Sequence, residues 1–146
     1  DRHVAEMRSN AFSPSSSLLP LTSLHLDEWP EAREATRIAI HVDRLDDWAA
    51  EHGGVQRPLL VKIDVQGFED QVIDGGLSTI LKAQWLAVEV SFHELYENQP
   101  LFDDIYKLLA RHGFRYRGNV QQFLNRTGDR VLFADALFEN SRLRTL

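Results

Sequence analysis

The sequence predicts an α/β fold built on a mostly parallel sheet that ends in an antiparallel pair of strands. From residue 36 onward, apolar segments of strand length alternate with amphipathic segments of helix length, which is the pattern of strand–helix–strand units. The last two apolar segments are instead joined by a short turn at residues 127–129, and a short turn suits an antiparallel pair. The predicted order is therefore β-α-β-α-β-α-β-β.

Residues 1–35 are the least regular part of the chain and are predicted to form an arm or hairpin laid over a domain of residues 36–146. Residues 4–7 suit a short strand, and residues 13–17 form a loop rich in Ser and Pro. Residues 18–26 suit a second short strand or an irregular packed segment. Because the first residue is Asp rather than Met, we expect a processed chain or a piece of a longer one.

The domain elements follow from periodicity and from glycine positions. The predicted strands are residues 36–42, 59–65, 85–92 and 131–138, with shorter strand segments at 114–116 and 120–125. The predicted helices are residues 45–52, 68–73, 77–82 and 101–112. The last helix has the clearest pattern, because Ile105, Leu108 and Leu109 share one face.

Residues 59–65 form the most informative segment. Five of these seven residues are Leu, Val or Ile, and Gly67 follows the run, which predicts a strand covered on both faces. Asp64 would then lie near the carboxyl end of the strand, where open α/β sheets bind ligands. Burying an unpaired charge costs on the order of several kcal/mol. Asp64 is therefore predicted to bind a ligand or act in catalysis, with a structural role in pinning the turn as the alternative.

Three further residues near predicted strand ends are candidates for the site. Glu69 is predicted to accept hydrogen bonds from N–H groups in the first turn of the next helix. Glu89 lies among apolar neighbours in its strand, so it either pairs with a buried cation or amide or has a shifted pKa. His93 follows the same strand and would rim one crevice with Asp64 if the two strands are parallel neighbours. There it could take a proton from a hydroxyl, and a surface loop position is the alternative.

The composition excludes several kinds of site. The chain has no Cys, which excludes disulfides, thiolate nucleophiles and Cys-based metal centres and is compatible with a cytoplasmic protein. A net charge of −6 disfavours a nucleic-acid partner. No apolar run approaches the roughly 20 residues that span a bilayer, so no membrane partner is predicted. The sequence also has no Gly-rich phosphate loop, no paired His at metal-binding spacing and no Ser nucleophile elbow, and no metal is predicted.

Together, these segments resemble the FkbM family of S-adenosylmethionine-dependent methyltransferases. Residues 60–69, Leu-Val-Lys-Ile-Asp-Val-Gln-Gly-Phe-Glu, are similar to the family signature l-l-K-I-D-V-E-G-x-E. Weaker matches occur in the right order at residues 15–18, 42–48, 88–90, 113–114 and 135–138. Gln66 stands where the family usually has Glu, which weakens an acid role but keeps a hydrogen-bonding side chain.

The resemblance implies a Rossmann-like class I methyltransferase fold with S-adenosylmethionine as the cofactor. The family's Gly-rich cofactor turn has no counterpart in the predicted arm, so the chain would be the C-terminal half of the domain, with the fourth to seventh strands and without the first ones. Asp64 would face the donor methyl group as the catalytic residue. His93 would be a second catalytic candidate, and Glu89 a buried orienting group. Asp64, Val65 and Gln66 would contact the cofactor.

The implied reaction is O-methylation of a hydroxyl on a sugar or polyketide-like small molecule, and the isolated chain is expected to bind the donor weakly or not at all. The alternative is a non-catalytic α/β interaction module. Without its first strands the sheet would expose an apolar edge, and such edges pair with other chains. The chain would then form a homodimer or dock on a partner that supplies the missing N-terminal half. A different Rossmann-like enzyme, such as a sugar-nucleotide transferase, is a third interpretation.

Overall fold

A computed structural model describes residues 3–9 and 16–143 of the chain. The strands are β1 (His3–Ser9), β2 (Thr36–Val42), β3 (Leu60–Ile63), β4 (Trp85–Ser91), β5 (Phe114–Leu124) and β6 (Val131–Asn140). The helices are α1 (Ser23–Glu28), a 3-10 helix (Pro30–Arg33), α2 (Leu45–Glu51), α3 (Glu69–Gly75), α4 (Leu77–Ile80) and α5 (Phe102–Arg111). Within these ranges, no helix has the length and apolar character needed to cross a membrane.

Most predicted elements of the domain are confirmed. The helices predicted at 45–52, 68–73, 77–82 and 101–112 are α2, α3, α4 and α5, and the strands predicted at 85–92 and 131–138 are β4 and β6. The segments predicted at 114–116 and 120–125 form one strand, β5, which is interrupted by irregularities in its register with β6. Residues 13–15 of the predicted Ser-rich loop lie outside the described residues.

The central sheet has the strand order β3-β4-β6-β5 in the described part of the chain. β3 and β4 are parallel, whereas β6 is antiparallel to both of its neighbours, β4 and β5. The predicted antiparallel pair at the C-terminal end is therefore confirmed. The sheet as a whole is mixed rather than mostly parallel: β3, β4 and β5 run in one direction, but β6 runs in the other direction between two of them.

β2 does not belong to this sheet. It pairs antiparallel with β1, from His3 opposite Val42 to Ser9 opposite Thr36, and the two strands form a separate ribbon. The prediction that residues 36–42 begin the parallel sheet is therefore wrong. An alternating pattern identifies a strand but not its partner, and the backbone groups of β2 are satisfied by β1 instead.

Residues 18–26 do not contain a second strand. The strand alternative is wrong because Ser23–Glu28 form α1, where the side chain of the N-cap residue Thr22 accepts a hydrogen bond from the backbone N–H of His25 at 3.3 Å. Threonine before a helical segment is a start signal, which the apolar run ahead of it obscured. The other alternative, an irregular packed segment, holds for the residues that lead into α1.

The hydrophobic core lies on one face of the sheet. Buried residues alternate with half-buried ones along β4 and β6, as expected when one face packs on helices and the other is more open. The buried members include Ile63, Leu86, Val88, Val90, Phe114, Ala134, Ala136 and Phe138 from strands, with Ile73, Ile80, Ile105 and Leu109 from helices. The opposite face carries the carboxylate side chains of Glu89 on β4 and of Asp135 and Glu139 on β6.

β3 is an edge strand. Within the described residues it pairs only with β4, and Leu60 is 60% exposed. The prediction that this apolar run is covered on both faces is therefore wrong for this part of the chain. The apolar residues of a strand set how much surface it could bury. How much it does bury depends on which other elements pack against it.

Candidate functional site

Asp64 directly follows β3, at its carboxyl end, as predicted. The turn that leads from it to α3 contains two residues with left-handed backbone, Gln66 (φ 56°) and Gly67 (φ 96°). A Cβ atom at Gly67 would lie 3.1 Å from both Leu19 Cδ1 and Tyr96 Cβ. Glycine is therefore required here by the backbone conformation and by the close packing of two other segments.

Glu69 ties this turn together. Its carboxylate accepts hydrogen bonds from the backbone N–H groups of Val65 (3.1 Å) and Gly67 (3.1 and 3.2 Å), and the residue is 3% exposed. Burial raises the pKa of Glu69, and these backbone bonds oppose that rise. The predicted helix-start role is thus extended, because the N–H groups of Val65 and Gly67 that Glu69 also satisfies precede α3.

Lys62 brings two carboxylates together. Its Nζ lies 3.2 Å from Asp64 Oδ2 and 3.5 Å from Asp135 Oδ1, and its bond to Asp64 is the largest cause that raises the pKa of Lys62. A half-exposed ion pair of this kind contributes about 0–1 kcal/mol to stability, so its main effect is on local charge. Asp135 was missed by sequence reasoning, although it is a carboxylate inside an apolar strand, the same signal that singled out Glu89.

Glu89 faces this group from β4, opposite Asp135 on β6. The side-chain Nε2 of Gln66 donates to Glu89 Oε2 and to Asp64 Oδ1, both at 2.8 Å. Burial raises the pKa of Glu89 to about 8, and the negative charges of Asp64 and Glu69 act in the same direction. The two predicted alternatives, an amide partner and a shifted pKa, therefore occur together, and Glu89 holds a proton near neutral pH.

Glu89→Gln is expected to remove a loss of stability that develops as pH rises from 4.5 to about 8. The pKa of Glu89 is about 8 in the folded protein against an ordinary 4.5, so the folded state binds more protons between these values. Wild-type stability must therefore fall as pH rises through this window, by at most about 1.4 kcal/mol per pH unit. The glutamine has the same shape without the charge. Urea unfolding is measured at pH 5.5, 7 and 8.5. The free energy of unfolding of the variant, relative to that of the wild type, should increase as pH rises.

The matched control for this prediction is Glu97→Gln, at an exposed loop position. It should follow the wild-type pH profile. Parallel profiles for Glu89→Gln and the wild type would show that Glu89 is not a buried proton carrier.

His93 is not joined to the site by any hydrogen bond or ion pair to Asp64 or Glu89 in the structure. β3 and β4 are parallel neighbours, which is the arrangement that the predicted crevice required. His93 is half-buried just beyond the end of β4. Its catalytic role remains a prediction.

Residues 17–29, here called the N-terminal strap, hold both loops of the site. The hydroxyl of Ser17 donates to the backbone carbonyl of Gln66 at 2.6 Å. The hydroxyl of Thr22 lies 2.8 Å from the carbonyl of Glu94, and the Thr22 N–H donates to the carbonyl of Leu95 at 3.1 Å. Sequence reasoning treated these residues as an arm and missed their contact with the site.

Tyr96 is a further site residue that carried no sequence signal. It is 2% exposed, and its hydroxyl donates to Gln66 Oε1 at 2.6 Å. Its backbone N–H and that of Leu95 both donate to the buried Gln99 Oε1, at 2.6 and 2.7 Å. A single Tyr in a loop resembles many others in a sequence, and only the folded chain places this one against Gln66.

His25 of the strap is a buried, neutral histidine. It is 2% exposed, its ring packs against Tyr96 at a centroid distance of 5.0 Å, and neither ring nitrogen has a hydrogen-bond partner among the described residues. Burial, with the charge of Arg8 acting in the same direction, lowers the pKa of His25 to about 4.

His25→Phe is expected to protect the protein against mild acid. The pKa of His25 is about 4 in the folded protein and ordinarily 6.5, so the unfolded state binds more protons between these values. Wild-type stability therefore falls as pH drops from 6.5 to 4, by about 3 kcal/mol in total from this residue. Phenylalanine keeps the ring contacts and cannot be protonated. Thermal unfolding at pH 7 and 4.5 should show a smaller acid shift for the variant, whereas His41→Phe, at an exposed position, should retain the wild-type shift. An equal acid shift in wild type and His25→Phe would contradict the assignment.

Among the residues that the structure describes, no group of three or more His, Cys, Asp or Glu side chains is arranged to hold a metal ion. In the polar cluster, the carboxyl groups of Asp64, Glu89 and Asp135 are held by the ammonium of Lys62 and the amide of Gln66. Such a cluster can accept a proton and attract a cation.

Comparison with known proteins places these observations in context. A family model described as the methyltransferase FkbM domain matches residues 2–116. The chain is 41% identical over 119 residues to the 2-O-methyltransferase NoeI of Sinorhizobium fredii (strain NBRC 101917 / NGR234). The alignment covers 82% of this chain and 44% of that relative, so the chain spans less than half of the relative's length. No solved structure matches the chain.

Proposed function

Because the chain belongs to the FkbM methyltransferase family, we propose that it forms the acceptor-side part of an O-methyltransferase. The reaction moves a methyl group from S-adenosylmethionine to a hydroxyl of a sugar or polyketide-like small molecule. The observation that carries the proposal is the position of Asp64: a partly exposed carboxylate at the carboxyl end of β3, held between Lys62 and Gln66. This is the position at which open α/β sheets bind their ligands.

The surroundings of Asp64 suit a cationic methyl donor. When bound, S-adenosylmethionine supplies a methyl group already activated by its sulfonium charge. The carboxylates of Asp64 and Asp135 outnumber the single ammonium of Lys62, and a net negative charge attracts a cation. Val65, which is 36% exposed, adds apolar surface beside Asp64. Asp64 and Val65 are the residues that would contact the donor, and Gln66 would contribute by holding Asp64.

The chemistry left to the protein is positioning and proton transfer. In the proposed step, Asp64 accepts the proton of the acceptor hydroxyl while the hydroxyl oxygen takes the methyl group and the sulfur–carbon bond breaks. Glu89 holds its own proton near neutral pH, so it would orient groups rather than act as the base. His93 is the second candidate for the base.

The strand order supports a class I methyltransferase topology for the complete domain. We assign β3, β4, β5 and β6 as its fourth, fifth, sixth and seventh strands, since β6 lies antiparallel between β4 and β5. The first strands would then lie beside β3, whose outer edge has no strand partner within the described ranges. In this assignment residues 36–146 are the C-terminal half of the domain, and residues 1–35 are the arm that precedes it.

Isothermal titration with S-adenosylmethionine tests donor binding directly. We expect binding by the longest gene product that contains this chain. We expect weak or no binding by the 146-residue chain alone, because the Gly-rich turn that would hold the donor has no counterpart in it. A long product that is folded yet shows no heat of binding at millimolar donor would contradict the proposal.

The alternative function, a non-catalytic module that forms a homodimer or pairs with a partner through the edge of β3, is not favoured. The family that the chain matches is a methyltransferase family, and an open strand edge is also expected of half a domain. Sedimentation at high protein concentration separates the two, because an interaction module should form a stable dimer without any added donor or acceptor.

A further inference from the structure

The backbone of Gln66 is fixed from both sides. Its φ of 56° is unusual for a residue other than glycine, and its carbonyl accepts a short bond from Ser17 Oγ at 2.6 Å. The next residue, Gly67, is held through its N–H by the buried Glu69. A conformation of this kind persists only where the surroundings impose it, so the side chain of Gln66 starts from a defined position.

The side-chain amide of Gln66 is hydrogen-bonded at both ends. Its Nε2 carries two hydrogens, and these are donated to Asp64 Oδ1 and Glu89 Oε2. Its Oε1 accepts from the hydroxyl of Tyr96 at 2.6 Å. A carboxylate such as Asp64 is an acceptor only. The nitrogen end must therefore face the carboxyl groups, and the Tyr96 hydroxyl must be the donor at the other end.

We propose that Gln66 and Tyr96 are a positioning pair: Tyr96 fixes which end of the Gln66 amide faces the carboxyl groups, and Gln66 holds Asp64 and Glu89 in a fixed relative position. The effect of this pair on catalysis rests on the proposed methyltransferase function. The hydrogen bonds that join Tyr96, Gln66, Asp64 and Glu89 do not depend on it.

The pair matters because the two oxygens of Asp64 have different partners, Gln66 on Oδ1 and Lys62 on Oδ2. Asp64 Oδ2 lies 3.2 Å from Lys62 Nζ, and Lys62 is half-exposed and also reaches Asp135. Without the amide, Asp64 Oδ1 and Glu89 Oε2 would lose the donor that they share, and Lys62 would be the remaining side chain that holds Asp64. An uncharged bridge keeps Asp64 aimed without neutralising it, which is what a proton acceptor requires.

Tyr96 is suited to this role because it cannot move independently. Its ring is 2% exposed, its backbone N–H is held by Gln99, and the ring of His25 packs against it. The phenol is therefore a rigid reference point, and its hydroxyl reaches Gln66 from a segment that the strap fastens in place.

The first arm of the test is spectroscopic and uses the 146-residue chain as it stands. Side-chain carboxyl resonances of Asp64 and Glu89 are titrated by carbon-13 NMR in the wild type, Gln66→Met and Tyr96→Phe. Methionine has a similar length and no amide, so it removes the donor to the ionised form of Glu89. We expect the Glu89 midpoint to rise by about 0.5–1 pH unit in Gln66→Met, and by less in Tyr96→Phe.

Gln71→Met is the matched control. The amide of Gln71 donates to the side chain of Asp70 on an exposed face of α3, so the same substitution removes a comparable contact outside the site. It should leave the Asp64 and Glu89 titrations unchanged. Tyr96→Phe removes a single oxygen atom and provides the test if Gln66→Met fails to fold.

The second arm is kinetic and uses the longest gene product. We expect kcat to fall by about 10–100-fold in Gln66→Met and by about 10-fold in Tyr96→Phe, with KM for donor and acceptor nearly unchanged, because a positioning group acts on the transition state more than on binding. Folded variants whose Asp64 and Glu89 titrations match the wild type would overturn the positioning pair, whatever their activity. A second outcome separates the two proposals. If the variants shift the titrations but the wild type transfers no methyl group, the positioning pair is supported and the proposed function is contradicted.

Discussion

If Asp64 is the base of the proposed methyl transfer, replacing it by Asn is expected to slow that reaction by about 10²–10⁴-fold, the range that a single general base contributes. Asparagine has nearly the same size, and its carbonyl oxygen can still accept from Gln66, but it cannot take a proton from the acceptor hydroxyl. The fall should appear in kcat, with KM for donor and acceptor changed only slightly. A radiolabelled methyl donor and the longest gene product provide the measurement.

The matched control is Asp70→Asn, the same change six residues along the chain, on α3. Asp70 bonds only to its neighbour Gln71 in the hydrogen bonds of the described structure, so the rate should stay at the wild-type level. A second readout shows that the site itself was altered: removing the Asp64 charge should lower the pKa of Glu89, because that charge helps to raise it. A near-normal kcat for Asp64→Asn would show that Asp64 is not the general base. His93 would then be the next candidate.

Replacing Glu69 by Ala is expected to lower the free energy of unfolding by about 3–5 kcal/mol. The substitution leaves the N–H groups of Val65 and Gly67 without an acceptor in a buried turn and also creates a cavity. Urea unfolding near neutral pH, followed by circular dichroism, measures the loss.

Glu69→Gln and Glu97→Ala are the controls for this effect. Glutamine retains one acceptor oxygen and should cost clearly less than alanine. Alanine at the exposed position 97 should change stability by no more than about 0.5 kcal/mol. A loss below 1 kcal/mol for Glu69→Ala would mean that the turn relaxes and finds other acceptors.

Local pattern was sufficient to locate the centre of the site. An apolar run, a carboxylate and a glycine in that order specify a strand, its end and a turn, and each of these depends on residues close in sequence. The same reasoning identified α5 and the hairpin of β5 and β6, where periodicity and a short turn leave few alternatives. For Asp64, the position followed from the sequence, although its role remains a proposal.

The partners of the site residues could not be predicted in the same way. Lys62 reaches Asp135, and Tyr96 reaches Gln66, only because strand register and a distant loop bring them together. The ribbon of β1 and β2 illustrates the same limit, since an alternating pattern suits any strand that offers free backbone groups. The edge position of β3 depends on which other strands pair with it. The residue types at positions 59–65 do not indicate how many strands do so.

The N-terminal strap has a consequence for the order in which the molecule assembles. The hydrogen bonds that fasten it join residues 49 positions apart at Ser17 and Gln66, and 73 positions apart at Thr22 and Leu95. Closing such long loops is entropically costly and slow compared with forming local turns. During synthesis the strap is made before the loop after β4, yet it must wait for that loop before it can dock. The strap therefore closes late, and it can hold the candidate site only after the chain has been made as far as Leu95.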